Sequence, residues 1–130
     1  SAPLPIINKP KEWLHQLLHH DYNIIRSPRS YNSQIGVPLS IWEMNAENTL
    51  GIFEAGISGP GEMELLQPII RPTIGVLTNI GTAHDEGFSS KKQKIKEKCK
   101  LFQKADYIIC KDNLASEVRE LKGGKLFTWG

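Results

Sequence analysis

Short apolar runs, separated by stretches with helical spacing, constrain this chain more than any other feature. Tyr22-Asn23-Ile24-Ile25-Arg26, Thr49-Leu50-Gly51-Ile52-Phe53-Glu54, residues 73–78, residues 106–110 and a last run over 125–128 read as strands. Between them lie helix patterns. Residues 10–20 place Trp13, Leu14, Leu17 and Leu18 on one face, with Pro10 suited to a first turn. Pro38 opens a helix to about Asn45, Glu62–Ile70 forms another that Arg71-Pro72 ends, and residues 90–104 and 114–121 form two more. Strands that alternate with helices predict a parallel sheet covered on both faces, an α/β fold of three layers, α/β/α.

At 130 residues there is room for one domain with a real core. A net charge of +2 is too mild to argue for nucleic acid. The basic residues are clustered: residues 91–104 hold seven lysines, and residues 43–64 hold five glutamates. A lysine run is by default a solvated helix face. Cys99 and Cys110 stand in no close-spaced metal motif and form no disulfide framework, which fits a reducing cytoplasm. No apolar run approaches the roughly 20 residues that cross a bilayer, and Ser1-Ala2-Pro3-Leu4-Pro5 lacks the marks of a signal peptide. Residues 1–10 read as a lead-in.

In parallel α/β sheets, ligands bind beyond the carboxyl ends of the strands. That rule selects Glu54, the 56–61 loop, Asn79 and His84. Glu54 either escapes to solvent at the sheet edge or holds Mg²⁺, which takes one or two carboxylates plus phosphate oxygens and water. Gly56, Gly59 and Gly61 permit close backbone approach, although Gly61-Glu62 is also an ordinary helix start. His84 is either a surface histidine or a ligand. Lys98 follows it on the lysine-rich helix. At about 100° per residue, Ile95, Cys99 and Phe102 form the apolar stripe, and Lys98 falls roughly 60° from Ile95, at its flank. Lys96, Lys100 and Lys104 are placed well away from the stripe. A partly buried lysine can be neutral and reactive. Arg26, Arg29, Ser30 and Asn32 form either a polar surface loop or a phosphate-recognising one.

Three segments in this order resemble the central, ATP-binding domain of the Mur ligases, and most closely its MurF type. They are Ser30-Tyr31-Asn32-Ser33-Gln34-Ile35-Gly36-Val37-Pro38-Leu39, Glu54-Ala55-Gly56-Ile57-Ser58-Gly59-Pro60-Gly61-Glu62-Met63, and Thr78-Asn79-Ile80-Gly81-Thr82-Ala83-His84-Asp85-Glu86-Gly87-Phe88 continuing to Lys98. The wording is especially similar to fusions in which a MurF-like region precedes an alanine racemase. The resemblance covers roughly residues 11–128. It implies a central domain related to phosphate-loop NTPases and an ATP-dependent ligase of the cytoplasm. That ligase adds D-Ala-D-Ala to UDP-MurNAc-tripeptide. Metal ligands would be Glu54, for the Mg²⁺ that bridges the ATP phosphates, and His84, for a second Mg²⁺. Lys98 matches a lysine that is carbamylated in many Mur ligases. Asn79 would shape the phosphate site, while Asn32 and Arg26 would face the nucleotide-sugar substrate.

One departure limits what the resemblance implies. The family's central domain opens with a strand and a Gly-x-x-Gly-Lys-Thr phosphate loop, whereas this chain reads Ile6-Ile7-Asn8-Lys9-Pro10-Lys11-Glu12-Trp13. Without those glycines a backbone cannot wrap phosphates, and without the hydroxyl one Mg²⁺ ligand is lost. Lys9 is the candidate for the phosphate-loop lysine, beside a proline that removes a backbone donor. Residues 11–130 are therefore read as an incomplete central domain that needs flanking N- and C-terminal ligase domains and is inactive by itself. Two alternatives stay open: a non-catalytic structural domain, and a ligase of the folylpolyglutamate synthetase kind.

Overall fold

A computed structural model describes residues 9–28, 31–57, 59–81, 87–121 and 125–130. The chain divides into two compact units, one ending at Gly56 and one running Ile57–Gly130. In the first, α1 (Lys9–Leu18) precedes β1 (Ile24–Arg26), α2 (Gly36–Trp42) and β2 (Leu50–Ile52). Strands β1 and β2 pair in parallel with Ile24 opposite Leu50 and Arg26 opposite Ile52. The ladder continues past β1, where Ser27 N–H donates to Ile52 O at 3.1 Å. Helix α2 begins two residues before Pro38, because Ser33 Oγ accepts the Gly36 N–H at 3.0 Å and closes the preceding turn.

The second unit runs α3 (Glu62–Ile70), β3 (Ile74–Leu77), α4 (Lys91–Lys100), β4 (Tyr107–Lys111), a 3₁₀ turn, α5 (Ala115–Leu121) and β5 (Lys125–Trp129). All its strand pairs are parallel, in the order β3-β4-β5. Gly75, Leu77, Ile108 and Cys110 are buried and join Met63, Leu66, Ile95, Cys99, Phe102, Leu114 and Val118 in one apolar core. Gly75 is required there, since a Cβ would lie 2.4 Å from the Phe102 ring. The opposite face of this sheet carries Ile74, Val76, Tyr107 and Phe127, all exposed.

The helix boundaries have local causes. Gly61, at φ 87°, starts α3 in a left-handed conformation that favours glycine, and Arg71 (φ 49°) ends it before Pro72. Ser90 caps α4 by accepting the Gln93 N–H at 3.1 Å. Helix α4 stops at Lys100 rather than 104, and residues 101–104 form turns through which Leu101 and Phe102 still reach the core. The expected α/β architecture with parallel strands is present. The expectation that a first strand and phosphate loop are missing falls mostly on residues 1–8, outside the described ones.

Candidate functional site

In the first unit the candidates gather where β1 and β2 end. Glu54 lies two residues beyond β2, half-buried, with Oε2 shielded from solvent. Its N–H donates to Ser27 Oγ at 3.3 Å. Ser27 is fully buried, and its carbonyl accepts Lys11 Nζ at 2.6 Å. Arg26 pairs with Glu12 at 3.2 Å, which commits one edge of its guanidinium to α1, while Nη1 is buried with no hydrogen-bond partner among the described residues. Asn32 joins this end of the sheet through its carbonyl, which accepts the Gly56 N–H at 2.7 Å. Gly56 fits because a Cβ would approach the Asn32 side chain at 3.0 Å. So the fold brings Arg26, Asn32 and Glu54 to one strand end, as their sequence positions require. Lys9 is the first residue of α1.

Lys11 is the residue that sequence reasoning missed here. It is 5% exposed, deep for an amine. Burial pushes its pKa down; the charges of Glu54 and Glu12 push it up in part, and Arg26 adds to the lowering. A lysine inside the first turn of an amphipathic helix reads as solvated by its charge. Its spacing to Leu14 and Leu18, on the packed side of α1, is the signal that would have found it.

In the second unit Asn79 is exposed after β3, and Lys98 is half-buried on α4, as the flank position predicted. Lys96 and Lys104 are exposed, as expected. Lys100 is half-exposed and engaged: it pairs with Glu97 at 2.8 Å and Glu64 at 2.9 Å. The hydrogen bonds that its ammonium donates to the Glu97 and Glu64 carboxylates raise its pKa, against a smaller lowering by burial. His84 lies outside the described residues.

The most deeply buried charges of α4 are ones the apolar-stripe argument passed over. Glu97 is 3% exposed, and its Oε1 accepts the Gly61 N–H at 2.6 Å. Lys94 is also 3% exposed; it donates to Gly81 O at 2.9 Å and sits 5.9 Å from the Phe88 ring centroid. Lys94, Glu97, Lys98 and Leu101 recur at helical spacing, a second stripe beside Ile95, Cys99 and Phe102. That stripe was legible in the spacing, although its charged residues disguised it. Through it α4 holds the start of α3 and the chain after β3 at fixed positions. Cys99 and Cys110 are free and buried. Burial raises both thiols, Cys99 to about 11, so neither is a reactive nucleophile near neutral pH.

Among the described residues no group of three or more His, Cys, Asp and Glu could hold a metal ion. A protein-only metal cage is therefore not formed by them. A half-buried carboxylate with a fixed backbone does suit Mg²⁺, which completes its shell with phosphate oxygens and water.

Each unit is an α/β arrangement of parallel strands, in which the strands' carboxyl ends are the usual place for ligands. Residues 10–127 match the Mur ligase middle domain. The chain belongs to that family. It is 32% identical to the UDP-N-acetylmuramoyl-tripeptide--D-alanyl-D-alanine ligase of Synechocystis over 92% of this chain and 28% of the relative. The corresponding Rickettsia prowazekii ligase is 30% identical over 92% of this chain and 29% of its own length. The fold is that of Acinetobacter baumannii MurF (TM-score 0.88, 22% identity, 97% of this chain and 29% of that one). Thermotoga maritima MurF, solved in complex with ADP, aligns with a TM-score of 0.79 at 26% identity, over 94% of this chain and 30% of that one. The chain thus spans less than a third of the length of these relatives.

Proposed function

We propose that this chain is the ATP-handling middle region of a ligase that joins D-Ala-D-Ala to UDP-MurNAc-tripeptide, acting with flanking N- and C-terminal domains in the cytoplasm. The observation that carries this reading is the match of residues 10–127 to the Mur ligase middle domain, with MurF-type ligases at 30–32% identity. The arrangement at the end of β2 supports it. Glu54 is a carboxylate held by its own N–H, with a lysine, an arginine and Asn32 on neighbouring segments.

In this reading Glu54 would hold the Mg²⁺ that accompanies the ATP phosphates, and His84, with a carbamylated Lys98, would serve a second Mg²⁺. Bound Mg²⁺ supplies charge neutralisation to the transferring phosphoryl group. Asn79 and Lys9 would serve the ATP phosphates, and Asn32 and Arg26 the nucleotide sugar. The substrate carboxylate takes the γ-phosphoryl group of ATP and releases ADP. The amine of D-Ala-D-Ala then displaces phosphate and forms the amide. Glu54 and Lys98 act by charge and position rather than by proton transfer.

The test is phosphate release by a longer protein carrying this segment, with Mg-ATP, UDP-MurNAc-tripeptide and D-Ala-D-Ala. Glu54→Ala is expected to lower the rate by about a hundredfold or more. Full activity in that variant, or activity on a folate and glutamate instead, overturns the reading. A second reading rests on one observation: residues 6–13 lack the Gly-x-x-Gly-Lys-Thr loop. It makes this region a structural domain, and absence of Mg-ATP binding in the same longer protein would favour it.

A further inference from the structure

Every polar main-chain and side-chain group of Ser27 is used, although the residue is fully buried. Its N–H donates to Ile52 O at 3.1 Å, its Oγ accepts the Glu54 N–H at 3.3 Å, and its carbonyl accepts Lys11 Nζ at 2.6 Å. The first bond extends the β1-β2 ladder by one step. The other two do something the ladder does not: they connect the amine of an α1 lysine to the backbone of Glu54. A buried amine is costly, and an apolar side chain of similar length would fill the same space more cheaply. Its presence calls for a reason beyond packing.

We propose that Lys11 and Ser27 are positioning residues for Glu54, fixing its backbone so that the carboxylate meets a divalent cation in one orientation. Lys11 holds the Ser27 carbonyl from the helix side. Ser27 in turn offers its hydroxyl oxygen to the Glu54 N–H at the point where β2 has ended. A short charge-assisted bond of this kind is about twice as strong as a neutral one. The alternative role for Lys11, a cation beside a carboxylate, predicts the opposite effect on metal binding. Loss of a positive charge tightens Mg²⁺ at Glu54, whereas loss of a positioning bond loosens it. This inference rests on the reading of Glu54 as the Mg²⁺ ligand.

Two measurements on the whole chain keep those ideas apart. The first is hydrogen exchange of the Glu54 amide. The second is a Mg²⁺ titration followed on the Glu54 carboxyl carbon by NMR. Lys11→Met is expected to lower Glu54 amide protection by about tenfold and to weaken Mg²⁺ severalfold, while Gly51 and Ile52 stay protected. Lys11→Arg, which retains a donor, is expected to restore part of both. Ser27→Ala is expected to reproduce the loss of protection, and it decides the matter if Lys11→Met does not fold. Unchanged protection in both variants overturns the proposal, as does Mg²⁺ binding that is unchanged or tighter in a folded Lys11→Met. If the unaltered chain binds no Mg²⁺ at Glu54, the metal reading of Glu54 fails. Amide protection alone then decides whether the pair positions that residue.

Discussion

The two units bury different kinds of side chain. In the unit Ile57–Gly130, Met63, Leu66, Leu77, Ile95, Phe102, Ile108, Leu114 and Val118 are buried together. In the unit ending at Gly56, the deeply buried described side chains are Val37 and the polar Lys11, Ser27 and Ser40. The first kind of interior is stabilised by area removed from water, which is non-directional and tolerant of small shifts. The second depends on bonds with fixed partners: Lys11 to Ser27 O, Ser27 to Glu54 N–H, and Ser40 Oγ to Gly36 O at 2.8 Å. Such bonds add little net stability, but they are costly to break. Both units use buried charges to hold backbone, the second through Lys94 and Glu97, but among the described residues only the second adds a large apolar interior.

The comparison can be broken by unfolding measurements. Leu66→Ala, at a side chain 1% exposed, is expected to cost about 2–5 kcal/mol in urea unfolding. Val37→Ala in the other unit is expected to cost only about 1–2 kcal/mol. Equal losses would mean that the first unit depends on its apolar contacts as much as the second.

Alkaline pH probes the apolar interior from another side. The Cys99 thiol is raised from 9.0 to about 11, so between those values the folded chain keeps a proton that the unfolded chain has released. This stability is fully present below pH 9.0 and is lost as pH rises through about 11. At about 1.4 kcal/mol per pKa unit, the loss is at most about 3 kcal/mol. Cys99→Ala is expected to flatten that part of the pH profile in chemical denaturation; an unchanged slope would show that the thiol is not sealed from water.

Glu97 tests how much the polar ties of the second unit contribute beside its apolar interior. Glu97→Ala leaves the Gly61 N–H without its acceptor and is expected to cost about 1–3 kcal/mol. Glu97→Gln keeps an acceptor oxygen and should cost less. If both cost the same, the ion pair with Lys100 matters more than the bond to Gly61. The smallest effect belongs to Lys92→Ala. Its 3.8 Å pair with Glu120 is exposed on both sides, and thermal unfolding should report a change within about 0.5 kcal/mol.

Much of the fold was legible because hydrophobic periodicity and punctuation agree along the chain. Glu62–Ile70 appears with the predicted limits, between Gly61 and Arg71-Pro72. Strand β3 falls within the predicted 73–78, shortened at both ends. The predicted helix over 90–104 runs four residues past the C-terminal end of α4, because Leu101 and Phe102 continue its apolar stripe although they pack from turns. Of the candidate site, the positions of Glu54, Asn32 and Arg26 at strand ends were legible in the sequence, and the half-burial of Lys98 followed from its helical angle. Lys11, Lys94 and Glu97 were not found. Each is a charged side chain inside the protein, and periodicity counts charge as a mark of solvent.

By itself the sequence determined the alternation of strand and helix, the strand ends at which polar residues cluster, and the family to which residues 10–127 belong. Those properties are set by near neighbours and by the order of motifs, and both survive in one dimension. Tertiary structure alone decided which charges are buried and what they hold. Lys11 meets Ser27 across 16 residues, and Glu97 meets Gly61 across 36. Helical spacing marks which charges lie on a packed face, but what each one binds depends on what the fold brings beside it, and no local pattern carries that.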